Sequence, residues 1–368
     1  MAAIQARRVM PAMLALVVVN LAVFYDSAQT QISGSSTFAQ QIRELSEPGG
    51  TFDTDNLISN ERSYLHVVPS LRDPGLAGGA YIGVGPDQNF SYISVLRPSI
   101  VYLIDVRRDN MLLHLLFKAL FDISATRAEY LSHLFGRRLP APPDQWRGAP
   151  LEKLASQLDT AKPREEEIRL LRKQVDAQIA AYGVPLSTQD YATIDRFHRT
   201  FIDAGLSLKF QSWGRAPRSY YPTYRELLFE TDRENRRGNF LAAEDDYQVV
   251  RRLEQRNLVI PVVGDLAGPT AMSAIARAIR QRGDQLSAIY VSNVELYLFQ
   301  DGTFSKYADN LAAIPRNNRS LIIRSIFNGP AFWPNMVPGY ASASIVQRID
   351  DFAAHKYSSY SQLLSQSH

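Results

Sequence analysis

The sequence predicts an α/β fold: a doubly wound, mainly parallel sheet with a large helical insertion after the second strand. Three observations predict it. Short β-branched, apolar runs alternate with helical patterns on both sides of residues 125–256. The first run, in "GAYIGVGPDQNF", passes through a glycine turn directly into a helical stretch. The second, "VYLID", ends on Asp105, twenty positions beyond Gly85.

Composition bounds the possible functions. The chain has 368 residues, 45% of them hydrophobic, enough to bury a core without covalent staples. It has no cysteine, which excludes disulfides, thiolate catalysis and cysteine-ligated metals. Forty basic residues stand against 37 acidic ones with no long basic run, so nucleic acid is not expected as a partner. There is no G-x-S-x-G elbow, no H-E-x-x-H and no phosphate-binding loop, and the six histidines have no metal spacing. No metal is expected.

Residues 1–34 read as a secretory signal peptide or N-terminal anchor, and residues 35–368 as the α/β domain. Arg7 and Arg8 precede a mainly apolar run from Val9 to Phe24, followed by small and polar residues. The run is shorter than the roughly 20 residues of a comfortable membrane span. The body of the chain is then expected outside the cytoplasm, periplasmic or anchored to the outer side of the inner membrane. The alternative is a buried N-terminal helix.

The elements follow in order. "SGSSTFAQQIRELSEPGG" reads as a capped short helix on a surface arm. Ala80–Val84 is the first strand and Gln88–Leu96 its helix. Ile100–Ile104 is the second strand, and Asn110–Ile123 a helix with leucines on one face. The insertion, about 125–256, holds a proline-rich loop, a charged amphipathic helix, a Ser-capped helix, and helices at Tyr221–Asp232 and Ala242–Asn257. Strands resume in "LVIPVVGDLAG", "AIYVSNVELYLF" and "SLIIRSIF", with helices at Thr270–Arg282 and near Ser305–Ala313. Pro261 removes a ladder donor, which places its strand near an edge or a bulge.

The glycine turn and Asp105 carry the functional reading. Gly83 and Gly85 let a ligand approach the backbone, and Asp105 can accept hydrogen bonds from ribose hydroxyls. Gln88 stands where a dinucleotide turn has its third glycine, which argues against a pyrophosphate. A sulfonium nucleoside such as S-adenosylmethionine has none, and Asp87, Gln88 and Asn89 are suitable in type for its ammonium and carboxylate. Alternatively the glycines serve tight strand-to-helix packing and Asp105 caps the next helix.

The order "YIGVGPDQN", "YLID", "VVGDLAG", "YVSNVELYL" resembles the class I S-adenosylmethionine-dependent methyltransferases, whose fold is of Rossmann type. In more detail the chain is similar to a bacterial family of methyltransferase-like proteins that share "GVGPDQNF", "RNLVIPVVGDLAGP" and "SNVELYLF", over most of residues 50–328. The general pattern expects an acid at position 81 and glycine at 87, where this chain has Tyr81 and Asp87. The resemblance implies S-adenosylmethionine as cofactor. Gly83, Gly85 and Asn89 would frame its amino-acid end, Asp105 the ribose and Asp265 the adenine side. Asn293 and Glu295 would face the transferable methyl, with Glu295 as base for a proton of an unknown small-molecule or protein acceptor. The residues alone also allow Asn293 as a turn residue, Glu295 as a helix N-terminal charge and Asp265 as a cap. An exported, non-catalytic binding protein on the same scaffold is the second expectation.

Two further segments are candidates for the rim of the site. "DNLISNERSY" can fold over the pocket with Asn60, Glu61 and Tyr64 lining it, or form an ordinary loop. "FQSWGRAPRSYYPTY" gathers Trp213, Arg215, Arg218, Tyr220, Tyr221 and Tyr224, as a substrate lid or as packing aromatics.

Overall fold

Strands β1 (Ala80–Gly83), β2 (Ile100–Asp105), β3 (Val259–Val263), β4 (Leu286–Ser292), β5 (Arg316–Phe327) and β6 (Ser342–Arg348) form one sheet in the order β3-β2-β1-β4-β5-β6. The computed structural model describes residues 37–213, 216, 218–327 and 336–367. The segment read as a signal or anchor, residues 1–34, and Arg215 lie outside them. The first five strands are parallel and β6 is antiparallel to β5. Strands β1 to β5 match the five expected runs. The sixth was not expected, because polar Ser342, Ser344 and Gln347 are buried in it together with Ala343 and Ile345, so "SASIVQR" lacks a clear apolar run.

The helices are α1 (Phe38–Leu45), α2 (Val68–Leu71), α3 (Gln88–Leu96) and α4 (Arg108–Ile123) up to the insertion. The insertion adds α5 (Arg127–Leu134), α6 (Leu151–Thr160), α7 (Glu165–Ala181), α8 (Thr188–Ala204) and α9 (Tyr224–Leu228), and leads into α10 (Glu244–Gln255). After β3 come α11 (Ala271–Arg282), α12 (Val294–Gln300), α13 (Phe304–Ala312), α14 (Ile349–Ala353) and α15 (Tyr360–Ser365). Ser187 and Asp190 start α8 with a capping box, as the Ser cap required. Helix α9 is shorter than expected. Asp232 turns back to accept from the backbone N–H of Glu234 and Arg236, which stops the helix early.

Helices α3, α4 and α10 pack together, and α11 packs with α1 and α13. Right-handed crossovers running one way from β1 through β2 to β3, and the opposite way from β3 to β4, put these two groups on opposite faces of the sheet. Helix α10 therefore belongs to a sheet-covering layer, although it closes the insertion. The strand order reverses between β1 and β4, so the carboxyl ends of these two strands form the crevice where such sheets hold ligands.

Pro261 sits on the edge strand. Val263 N–H points outward to Ser46 Oγ at 3.0 Å while Gly264 N–H points inward to the Asp105 carbonyl at 2.9 Å. Alternation then directs the nitrogen of Pro261 outward, where no ladder bond is lost. The arm expected at the surface is instead docked: Phe38, Ile42 and Leu45 of α1 are buried, and Glu47 N–H bonds the Val263 carbonyl at 2.9 Å. Residues 46–61 continue from it as a strap across the carboxyl edge. Among the described residues no helix is long and apolar enough to cross a membrane.

Candidate functional site

The turn after β1 is closed by its own side chains. Gly85 has φ +80°, and a Cβ on Gly83 would overlap Asn89 Oδ1. Asn89 Nδ2 donates to the carbonyls of Val84 and Pro86 at 2.9 and 2.8 Å, and Oδ1 accepts from Tyr81 OH at 2.8 Å. Asn89, expected at the amino-acid end of a ligand, is thus committed to holding the turn. Tyr81, found where an acid was the pattern, is the group that fixes it.

Asp87 and Gln88 point to opposite sides. Asp87 Oδ2 accepts from Tyr224 OH at 2.9 Å, which ties the insertion to the turn. Burial pushes the Asp87 carboxyl up to about 7 against the pull of that hydrogen bond. Gln88 Nε2 reaches Tyr290 OH at 3.2 Å, while its Oε1 has no partner. His114 Nε2 bonds the Gly85 carbonyl at 2.9 Å and must be the protonated nitrogen, since a carbonyl only accepts. Burial lowers the His114 pKa to about 4, so the ring is neutral at pH 7.

Asp105 stands at the end of β2 as expected, but Arg107 holds it. Arg107 Nε and N–H both donate to Oδ1 at 2.9 Å, and Nη2 reaches Oδ2 at 2.6 Å. A carboxylate has about four acceptor positions. Three are filled, and a ribose diol needs two. Arg107 Nη1 also donates to the carbonyls of Thr54 and Asp55 at 2.8 Å each, which fastens the strap over the edge. Asp265 lies one strand further along: its Oδ1 accepts from Ala267 N–H at 2.9 Å, and its own N–H goes to Glu47 Oε1 at 2.9 Å. Glu47 Oε2 caps α11 through Thr270 and Ala271 N–H, the role sequence reasoning had open for Asp265.

Glu295 is placed away from this edge. It is buried on α12 and forms an ion pair with Arg324 of β5, Nε to Oε2 at 2.6 Å and Nη2 to Oε1 at 3.0 Å, and it also accepts from Tyr307 OH at 3.1 Å. Gln347 and Ser367 hold the remaining face of that guanidinium at 2.7 Å each. Asn293 is half-buried, with Oδ1 3.3 Å from Ser292 Oγ. The structure therefore gathers Gly83, Gly85, Asp87, Gln88, Asn89, Asp105 and Asp265 along one sheet edge and leaves Glu295 in the core.

A second polar centre occupies the β1–β4 crevice. Glu61, on the strap and 1% exposed, accepts from Tyr290 OH at 2.5 Å and from the hydroxyls of Ser292 and Ser325. Burial raises its pKa, the three hydroxyls pulling the other way. Ser292 has φ +52°, an uncommon value for a residue other than glycine. Glu61 was foreseen as a lining residue; Ser292, Tyr290, Ser325 and Arg107 were not. The i, i+2 spacing of Asp105 and Arg107 at a strand end was the available signal for the clasp, and nothing in spacing links Glu61 to serines more than two hundred positions away.

The rim segment places Tyr221 and Tyr224 in the core, while Trp213 is 53% exposed. With Asn56, Leu57, Arg196, Lys209 and Phe210 it lines a groove of about 200 Å³ between strap and insertion. Among the described residues no three His, Cys, Asp or Glu side chains group as a metal site.

The profile of one family, described as "Domain of unknown function (DUF7790)", matches residues 57–138 and 189–366, more than half of the chain. The chain belongs to this family. No curated protein matches it. The DUF7790 match passes over 139–188, which contain α6 and α7, and covers the glycine turn, Asp105, Glu61 and Ser292.

Proposed function

We propose that this DUF7790 protein is methyltransferase-like in scaffold and binds a ligand other than S-adenosylmethionine, without methyl transfer. The clasp of Arg107 on Asp105 carries this reading. The ribose-binding acid that the scaffold would use retains about one open acceptor position, and the strap that Arg107 fastens lies where the nucleoside would enter. Two further observations support it. Asn89 is consumed by the turn, and Glu295, the expected base, is neutralised by Arg324. The groove of about 200 Å³ between strap and insertion is below the roughly 300–1,000 Å³ of sites for drug-sized ligands. The same groove, with Trp213 at its mouth, is the surface we assign to a smaller ligand.

Titration calorimetry with S-adenosylmethionine and its demethylated product is the test. No heat of binding at millimolar ligand is expected, and a micromolar Kd for either would overturn the reading. A second reading, adenosyl binding after the strap lifts, is favoured by the shared edge of Gly83, Gly85, Asp105 and Asp265. Under it Arg107→Ala would bind S-adenosylmethionine where the wild type does not.

Export belongs to the same proposal, since S-adenosylmethionine is a cytoplasmic metabolite and residues 1–34 have the layout of a secretory signal or anchor. A fusion of residues 1–40 to a reporter active only after export should be active. A reporter active only in the cytoplasm would remove this part.

A further inference from the structure

We propose that Ser292 and Glu61 form a nucleophile and general base for acyl transfer from small carboxylic esters, at the β1–β4 crevice. The inference goes beyond the binding function above and does not depend on which ligand the groove takes.

Four observations converge on the pair. Ser292 is the last residue of β4, α12 begins two residues later, and its φ of +52° makes the strand-to-helix turn sharp. A hydroxyl on such a strained turn is presented outward from the sheet, the geometry by which serine nucleophiles are exposed on α/β sheets. Second, Ser292 Oγ donates to Glu61 Oε1, so the proton to be removed already lies on the base. Third, the base is oriented: Tyr290 OH and Ser325 Oγ hold Glu61 Oε2, and Gln88 Nε2 holds Tyr290 in turn.

The fourth is a comparison of three carboxylates. Asp105 and Glu295 are each neutralised by an arginine, at 2.6 Å in both cases. Glu61 forms no ion pair with a basic side chain among the described residues; hydroxyls alone satisfy it. Glu61 is thus the one of the three with no arginine competing for the proton it would accept. Burial is also unequal within the pair, Glu61 being enclosed and Ser292 half-buried, as a protected base and an accessible nucleophile require.

The step balances within the pair. Ser292 Oγ bonds to the acyl carbon while its proton passes to Glu61, and the carbonyl π electrons move to oxygen. The Asn293 amide adjoins the nucleophile, its Oδ1 3.3 Å from Ser292 Oγ. Collapse breaks the ester C–O bond, and the leaving alcohol oxygen takes the proton from Glu61. Water then attacks the acyl-serine, Glu61 accepts its proton, and collapse returns that proton to Ser292 Oγ as the carboxylic acid leaves.

The test uses the full chain and a fluorophosphonate probe, which bonds phosphorus to a nucleophilic Oγ as fluoride departs. One adduct at Ser292, located by tandem mass spectrometry, is expected. Labelling should fall at least about 100-fold in Glu61→Gln and should rise with pH above the ordinary carboxyl range in the wild type. Ser292→Ala should abolish hydrolysis of p-nitrophenyl acetate. Absence of an adduct at Ser292 after prolonged exposure to millimolar probe overturns the proposal, as does equal labelling of a folded Glu61→Gln. Should that variant not fold, a pH-independent labelling rate in the wild type overturns it.

Discussion

Arg107 grips Asp105 from two residues away through three hydrogen bonds of 2.6–2.9 Å and spends its remaining nitrogen on the carbonyls of Thr54 and Asp55. One guanidinium thereby closes the end of β2 and fastens the strap above it. Asp105→Ala leaves that buried cation unpaired and should destabilise the protein by about 3–5 kcal/mol, read from urea unfolding. Arg107→Ala should accelerate amide hydrogen exchange over residues 50–58 at least about tenfold, since each lost charge-assisted bond is worth about 1.5–3 kcal/mol. Unchanged protection in the strap would mean that Arg107 does not fasten it.

Glu295 and Arg324 should behave as a stability element. Glu295→Ala strands a fully buried guanidinium and is expected to cost about 3–5 kcal/mol in chemical denaturation. Replacing both residues together with Met and Leu should recover most of that loss. A Glu295→Ala protein as stable as the wild type would contradict the pairing.

Much of the architecture was legible, and the reasons differ by element. β1 to β5 are apolar, β-branched runs bounded by turn formers, so period and composition both announced them. β6 was hidden because two of its buried positions are serines and a third is Gln347, and such polar residues read as loop. The gathering of Gly83, Gly85 and Asp105 at one edge follows from strand–turn–helix order, which a sequence displays. The occupancy of that edge does not: the clasp, the strap and the Glu61 centre are contacts between positions with no shared periodicity. Glu295 illustrates the limit. Three residues past a strand end, it had the address of a site residue, while its side chain turned inward to an arginine on the next strand.

The buried Asp87 carboxyl sets an alkaline limb of the stability curve. Its folded pKa, about 7, lies above the ordinary 3.8, so its contribution is fully present below pH 3.8 and is lost as pH rises through 7. A change of this size corresponds to on the order of 4 kcal/mol. Asp87→Asn keeps an acceptor for Tyr224 OH and should be more stable than the wild type at pH 8, with the difference closing below pH 4. Denaturation midpoints of both proteins at pH 4, 6 and 8 check the sign.

Glu47→Ala removes the acceptor of three backbone N–H groups, those of Asp265, Thr270 and Ala271. A loss of about 1–2 kcal/mol is expected, in line with a removed helix cap. Glu47→Gln should retain part of it. Thermal melts that place both variants level with the wild type would rule out the cap.

β2 and β3 are adjacent, with Val101 opposite Val259, yet the whole insertion is translated between them. At ordinary elongation rates roughly 150 residues take on the order of ten seconds. For that interval one side of β2, an apolar row of Val101, Leu103 and their neighbours, has no partner strand. The nascent chain is then most exposed to pairing with another copy of itself.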